Sequence, residues 1–225
     1  MQIALIAVSF ASMAASFALA FLYAPTEAAM GVIQKIFYFH VPAAYTMYLA
    51  WGGCTVFSVL YFLKPDEKWD MAAKAAAETA LVFAAVVLIT GPLWGRKSWG
   101  AFWTFDPRLT SVLLFTLIIV GYVLLRSLSS GESEKRFAAA LAVLGACIVP
   151  IIHVSVNKWR GQHPTVIRNG GLTPEMAHAL IASMISFTGF YVLLFLRRYR
   201  LEQSRRQLAA LTDEAVEAGL LGEVE

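Results

Sequence analysis

The sequence predicts an all-α integral membrane protein, a bundle of six transmembrane helices with both termini in the cytoplasm. Only 15% of its 225 residues are charged and 59% are hydrophobic, whereas an average soluble domain is about 25% charged. A water-soluble fold of this size could not bury so many apolar side chains. The apolar residues form six runs of about 20 residues, the length that crosses a bilayer. Lysine and arginine are distributed unequally between the connections.

Each of the six runs is interpreted as one membrane-spanning helix. The predicted spans are Ile3–Ala24, Ile36–Leu63, Ala75–Leu93, Ser111–Leu128, Phe137–Val156 and Ala177–Leu196. The first lacks a basic start and is longer than the apolar core of a signal peptide, about 7–15 residues. We therefore expect it to be a retained helix. Pro42 and Pro92 fall near span ends, where proline is tolerated best.

The orientation follows from the basic residues of the connections, because cytoplasmic loops are enriched in lysine and arginine. The segments after spans 2, 4 and 6, together with Arg126 at the end of span 4, carry eleven of them, and those on the opposite side carry seven. The richer side is predicted to be cytoplasmic. We divide the chain into a transmembrane domain, residues 1–196, and a cytoplasmic tail, residues 197–225. The tail is predicted to be a solvated or membrane-surface helix with a basic start and an acidic end.

The two cysteines, Cys54 and Cys147, both lie in apolar runs. They form no CxxC pair, no zinc-binding spacing and no CxxCH haem-attachment site, which excludes a disulfide framework and haem bound covalently by this chain. We expect each to be a small buried hydrophobic residue.

All four histidines are predicted on the outer side. His40 and His178 lie near the outer starts of spans 2 and 6, His153 near the outer end of span 5, and His163 in the following loop. A histidine within a span is expensive unless it has a partner, so each could simply bond to a neighbouring helix. As a pair, His40 and His178 could instead supply both axial ligands of a haem iron. His163 is expected to have a turn or surface role.

The outer loop between spans 3 and 4 is unusually aromatic. Three of the chain's six tryptophans fall within ten residues, and two phenylalanines lie beside them. The aromatic members are Trp94, Trp99, Phe102, Trp103 and Phe105. An aromatic belt at the headgroup level explains one or two such residues at a helix end, but not five interleaved with two Trp-Gly pairs. Such a segment is well suited to a large planar hydrophobic ligand.

Charged residues flank these aromatic side chains. Arg96, Lys97 and Arg108 could pair with carboxylates at the edge of a ligand, and Arg160 is a further candidate. Asp106 precedes Pro107, a favoured combination at a helix N-terminus. We therefore expect Asp106 to cap the fourth helix.

The segment from Trp94 to Ser111 resembles the tryptophan-rich "WWD" motif of the haem-handling proteins of cytochrome c biogenesis. Phe102 and Phe105 stand where that family usually has tryptophan, which retains the aromatic face and removes an indole N–H. Length, span count and histidine placement are similar to those of haem exporter protein C of the cytochrome c maturation system. In the outer loop between spans 5 and 6, the chain departs from the family at Lys158, where tryptophan is usual.

The resemblance implies a non-enzymatic role. It implies transient, non-covalent binding of haem b on the periplasmic side of the bacterial inner membrane, with His40 and His178 as axial ligands. The implied partners are a periplasmic haem chaperone (component E), the ATP-binding cassette components A and B, the small component D and membrane lipid, with no nucleic acid.

Three alternatives remain open, and one of them is a membrane scaffold with which no haem would co-purify. A cytochrome b-like electron-transfer protein would also bind haem through helical histidines, but it usually needs ligands on both sides of the membrane. A transporter without haem would need acidic residues near the midplane, and the chain offers only Glu78, at an inner helix end.

Overall fold

The computed structural model describes residues 2–128, 131–159, 161–164, 166–167 and 170–220. This part of the chain is helical apart from short connections. The α-helices are α1 (Gln2–Ala18), α2 (Phe37–Leu63), α3 (Glu67–Trp99), α4 (Pro107–Leu128), α5 (Glu132–Ala146), α6 (Ile148–Lys158) and α7 (Pro174–Glu217). A π-helical turn, Leu19–Tyr23, extends α1, and a 3-10 turn, Val32–Ile36, leads into α2.

Within the described residues, six helical segments are long and apolar enough to cross a membrane, which confirms the predicted six-helix architecture. They are Ile3–Tyr23, Val32–Leu63, Glu67–Trp99, Pro107–Leu128, Glu132–Ser155 and Pro174–Glu217. Two of them extend well past the predicted bounds. Helix α3 begins eight residues before Ala75, and α7 continues past Leu196 without interruption. At 1.5 Å per residue, the 44 residues of α7 span about 66 Å, roughly twice a bilayer's hydrocarbon core.

The fifth span is interrupted, a feature that we did not predict. Helix α5 ends at Ala146 and α6 begins at Ile148, with the Cys147 amide donating to the Leu144 carbonyl at 3.1 Å. Pro150 explains the break, because it has no N–H for the Ala146 carbonyl four residues earlier and its ring clashes there. Cys147 is exposed, so its predicted burial is wrong, whereas Cys54 is buried as expected.

The most extensive helix packing is between α2 and α3. Helix α3 presents a run of buried small side chains, which lets the two backbones approach closely. These are Ala72, Ala73, Ala75, Ala76, Ala77, Ala80 and Ala84. Trp51 of α2 fills the adjacent core and makes edge-to-face contacts with Phe115 and Tyr122 of α4. The centre of the bundle is therefore aromatic and rich in alanine.

The two ends of the bundle differ in chemistry. At one end, which we call the ionic end, charged side chains of α3, α4, α5 and α7 pair with one another. The pairs include Asp70 with Arg126, Arg126 with Glu134, Lys74 with Glu202 and Glu78 with Arg198. At the opposite end, which we call the histidine end, lie His40, His163, His178 and the aromatic segment Trp94–Phe105.

Candidate functional site

His40 lies one turn into α2 and is held by the end of α3. Its Nδ1 is 2.9 Å from the Thr90 hydroxyl oxygen. The adjacent Gly91 leaves room for the ring, since a β-carbon at that position would lie 3.2 Å from His40 Cε1. The ring is partly buried. Helix α3 thus holds the imidazole through its Nδ1 atom, and Nε2 takes no part in the contact with Thr90.

His163 is the histidine that the structure brings next to His40. The centroids of the two rings are 6.5 Å apart. His163 Nδ1 lies 3.0 Å from the Pro164 carbonyl, which can only accept, so Nδ1 carries the proton. Burial, followed by the positive charge of Arg108, lowers the pKa of His163 to about 4. The ring is therefore neutral at pH 7, and its Nε2 lone pair is available.

His178 lies at the same end of the bundle, in the first turns of α7, but against a different partner. Its Nδ1 is 3.2 Å from the Tyr23 hydroxyl, and the two rings stack with centroids 6.3 Å apart. The side chain is exposed. Helix α7 is started by Thr173, whose hydroxyl accepts from the Met176 amide, and by Pro174 in the first turn. His178 therefore contacts Tyr23 in the π-helical extension of α1, whereas the ring next to His40 is that of His163.

His153 lies on α6 and is exposed. Its Nδ1 is 2.9 Å from the Val149 carbonyl of its own helix, and its ring lies 5.2 Å from that of Tyr48. The bond is to a carbonyl of the same helix, not to a neighbouring helix as the sequence suggested.

The predicted aromatic loop begins as helix. Trp94 and Trp99 belong to the last turns of α3 and contact each other edge to face, with centroids 5.2 Å apart. Gly95 makes this contact possible, because a β-carbon there would lie 3.1 Å from the Trp99 ring. Helix α3 ends at Gly100, whose φ of 78° is the left-handed conformation that glycine adopts most readily. Only the part from Gly100 to Asp106 is therefore irregular.

That irregular part presents two phenylalanines to the surroundings. Phe105 is 87% exposed and Phe102 is 57% exposed, whereas Trp103 is partly buried. Thr104, Phe105 and Pro107 line a shallow open depression of about 270 Å³ together with Asp106 and Gln162. Exposed aromatic faces next to an open depression can cover a flat apolar ligand without enclosing it.

Asp106 joins the aromatic segment to the His163 loop. Its Oδ1 accepts from the amides of Arg108 and Leu109 at the start of α4, which confirms the predicted cap. Its Oδ2 accepts from the amide of Gln162. Because the carboxylate is 6% exposed and fully engaged, its observed contacts are structural.

The basic candidates surround the aromatic segment. The Arg96 guanidinium donates to the Gly100 carbonyl and lies 5.6 Å from the centre of the Phe102 ring. Lys97 is exposed and Arg108 is partly buried. Arg160 lies outside the described residues. Sequence reasoning missed Thr90, Tyr23 and Gln162, which hold the histidines and their loop.

These features define a class of protein: a polytopic membrane protein that brings imidazoles, exposed aromatic side chains and cations together at one end. The comparisons with known proteins agree. The family model for Heme exporter protein C matches residues 1–214. The chain therefore belongs to the Heme exporter protein C family.

Three bacterial relatives carry the same name. The chain is 37% identical to Heme exporter protein C of Bradyrhizobium diazoefficiens over 193 residues, which is 84% of this chain and 73% of the relative. It is 33% identical to that of Paracoccus denitrificans over 83% of this chain and 80% of the relative. It is 31% identical to that of Escherichia coli K12 over 79% of this chain and 74% of the relative. The chain is thus a multi-pass bacterial inner-membrane protein with a role in haem handling for cytochrome c maturation.

Proposed function

We propose that this chain binds haem b at the periplasmic face of the membrane, transiently and without a covalent bond, and delivers it to a periplasmic haem chaperone. The observation that carries the proposal is that the imidazoles and the exposed aromatic segment occupy one end of the bundle. The Asp106–Gln162 hydrogen bond joins the aromatic segment to the histidine loop. Haem is the cargo in this proposal, because it leaves the protein again.

His40 and His178 are the proposed axial ligands of the haem iron. Neutral imidazole binds iron through a ring nitrogen that carries a lone pair. Each of the two rings has Nδ1 next to a hydroxyl, that of Thr90 or that of Tyr23. These contacts support Nε2 as the nitrogen that each ring offers to the metal.

The aromatic segment is proposed to cover the porphyrin, and the cations to bind its propionates. The aromatic contributors are Trp94, Trp99, Phe102, Trp103 and Phe105. The cations proposed for this role are Arg96, Lys97 and Arg108, with Arg160 as a further candidate. Asp106 is assigned to the binding region through its cap and bridge, since its carboxylate holds the segment in place.

The open geometry supports transfer to a partner rather than storage. Phe105 is 87% exposed, so a second protein could reach the ligand's edge while the histidines still hold the iron. We propose component E as the recipient, and components A, B and D as membrane partners in the same maturation system.

Purified full-length protein in lipid nanodiscs, reconstituted with haem, tests the ligand assignment. His40→Ala and His178→Ala are each expected to abolish the bis-histidine absorption spectrum, while His153→Ala, the exposed control, retains it. Unchanged spectra in both ligand variants would refute the assignment. Incubation with the soluble part of the chaperone should move haem to the chaperone. A rapid, reversible reduction of the bound haem by a quinol would identify an electron-transfer protein instead.

The sidedness is tested by cysteine labelling in a Cys147→Ser background, in which the remaining Cys54 is buried. Phe105→Cys should react with a membrane-impermeant maleimide in intact spheroplasts. Leu208→Cys, on the exposed end of α7, should react only after lysis. The opposite pattern would place the histidine end in the cytoplasm.

A further inference from the structure

The contacts of Thr90 determine which nitrogen of His40 carries the proton. The Thr90 hydroxyl oxygen lies 2.7 Å from the Val86 carbonyl and 2.9 Å from His40 Nδ1. A hydroxyl has one proton to donate and two lone pairs that accept. Two oxygens 2.7 Å apart need a proton between them, so Thr90 donates to Val86. It can then only accept from His40.

His40 is therefore the tautomer with its proton on Nδ1. The opposite nitrogen, Nε2, keeps its lone pair, and this is the atom type that binds a metal. Without an acceptor at Nδ1, either nitrogen of a neutral imidazole can hold the proton, and a proton on Nε2 would block ligation. The hydroxyl of Thr90 thus selects the ligating form before any metal arrives.

The neighbouring residue fixes the position of the ring. A β-carbon at Gly91 would lie 3.2 Å from Cε1 and 3.8 Å from Nδ1 of His40. Helix α3 therefore supplies a hydrogen-bond acceptor at Thr90 and leaves space for the His40 ring at Gly91. Tautomer and orientation are set by the same turn of helix.

We propose that Thr90 is a positioning residue, which holds His40 as the Nδ1–H tautomer with Nε2 directed to haem iron. The direction of Nε2 toward the iron rests on the proposed function, in which His40 is an iron ligand. The tautomer of His40 is a property of the protein without haem. The tautomer and the iron ligation can therefore be tested separately.

The haem-free test uses full-length protein in nanodiscs with ¹⁵N-labelled histidine. The wild-type His40 resonances, identified by their loss in His40→Ala, are expected to show a protonated Nδ1 and an unprotonated Nε2. Thr90→Val, which keeps the shape and removes the hydroxyl, should give a mixture of tautomers. Thr90→Ser should restore the single form. Unchanged His40 resonances in Thr90→Val would overturn the proposal.

Thr188→Val is the matched control, because Thr188 also donates to the carbonyl four residues earlier, that of Met184 at 2.8 Å, and is likewise partly buried. It should leave the His40 resonances unchanged. An equal effect of both valine variants would mean that the change is general and would overturn the specific role of Thr90.

The haem-loaded test measures transfer of haem to excess apomyoglobin. Loss of a partner that orients a metal-binding histidine typically weakens metal binding about 10–100-fold, so Thr90→Val should release haem faster by a similar factor. Thr90→Ser and Thr188→Val should release it at the wild-type rate. Equal release from Thr90→Val would overturn the role in ligation. A bis-histidine spectrum retained by His40→Ala would overturn the ligand assignment itself, while the haem-free result still decides the tautomer.

Discussion

The Asp70 carboxylate and the Arg126 guanidinium lie 2.6 Å apart at the ionic end, although 56 positions separate them in the chain. Both side chains are 5% exposed. Arg126 also bonds to Glu134 at 2.5 Å, and Arg206 of α7 reaches Asp70 from the other side. The buried Asp70 thus joins α3 to both α4 and α7, and the buried Arg126 joins α4 to α5 through Glu134.

Replacing Arg126 should strongly destabilise the bundle. In Arg126→Met, Glu134 loses its arginine partner and Asp70 keeps only Arg206. Breaking a buried pair in this way costs about 3–5 kcal/mol, because a charge is left uncompensated. The measurement is the thermal unfolding midpoint in detergent. Arg136→Met, at an exposed position of α5, is the control and should change stability by less than about 0.5 kcal/mol. Equal midpoints for the two variants would contradict the prediction.

Asp106 should contribute to stability through its cap and to loop order through its bridge. Asp106→Ala removes both and should cost about 1 kcal/mol, the usual value for an N-cap. Asp106→Asn keeps an oxygen that can cap the helix. Its NH2 group replaces Oδ2, so it cannot accept from the Gln162 N–H. It should therefore unfold close to the wild-type temperature while Gln162 exchanges its amide hydrogen faster, as in Asp106→Ala. If the asparagine variant is as unstable as the alanine variant, the bridge and not the cap supplies the stability.

Gly145 is predicted to tolerate no side chain. A β-carbon there would lie 2.8 Å from the Trp51 ring and 3.0 Å from Ile118, and Trp51 is 1% exposed and cannot move away. Gly145→Ala should destabilise by about 1–3 kcal/mol, as overpacking does. Gly121→Ala meets nothing within 4 Å and should stabilise α4 by up to about 1 kcal/mol. Unfolding midpoints that shift in the same direction would refute this account of the core.

The second haem ligand can be distinguished from its neighbour. The proposed pair of His40 and His178 predicts that His163→Ala keeps the bis-histidine spectrum and that His178→Ala loses it. The 6.5 Å separation of the His40 and His163 rings makes His163 the obvious competitor. Loss of the spectrum in His163→Ala together with its retention in His178→Ala would transfer the second ligand position to His163.

The helices themselves were readable from hydropathy, because a span must carry about 20 apolar residues. Their ends were not, since a helix that leaves the membrane continues on polar residues. Helix α3 starts at Glu67 because Asp66 caps it, with its carboxylate accepting from the Lys68 amide. The break at Cys147 had a signal in Pro150, but the apolar run continues through it and conceals it.

The pairings at both ends could not be predicted. Asp70, Arg126 and Glu134 each resemble ordinary loop charges, and their partners come from other helices. Thr90 gave no distinguishing signal either. Other threonines of the bundle, including Thr46, Thr79 and Thr188, also donate to the carbonyl four residues earlier. Only the three-dimensional contact with His40 separates Thr90 from them.

The contacts that hold the helices together differ in strength between the two ends of the bundle. Among the described contacts, charge pairs join α3, α4, α5 and α7 at the ionic end, while Tyr23 and His178 meet through one hydrogen bond at the histidine end. Such a bond contributes about 1 kcal/mol. Small and apolar side chains such as Ala20, Ala24 and Ala179 also pack there. Separating Tyr23 from His178 therefore costs less than breaking the buried charge pairs that join α7 to α3. Helix α7 can therefore change its contacts at the histidine end while the ionic end keeps it in the bundle.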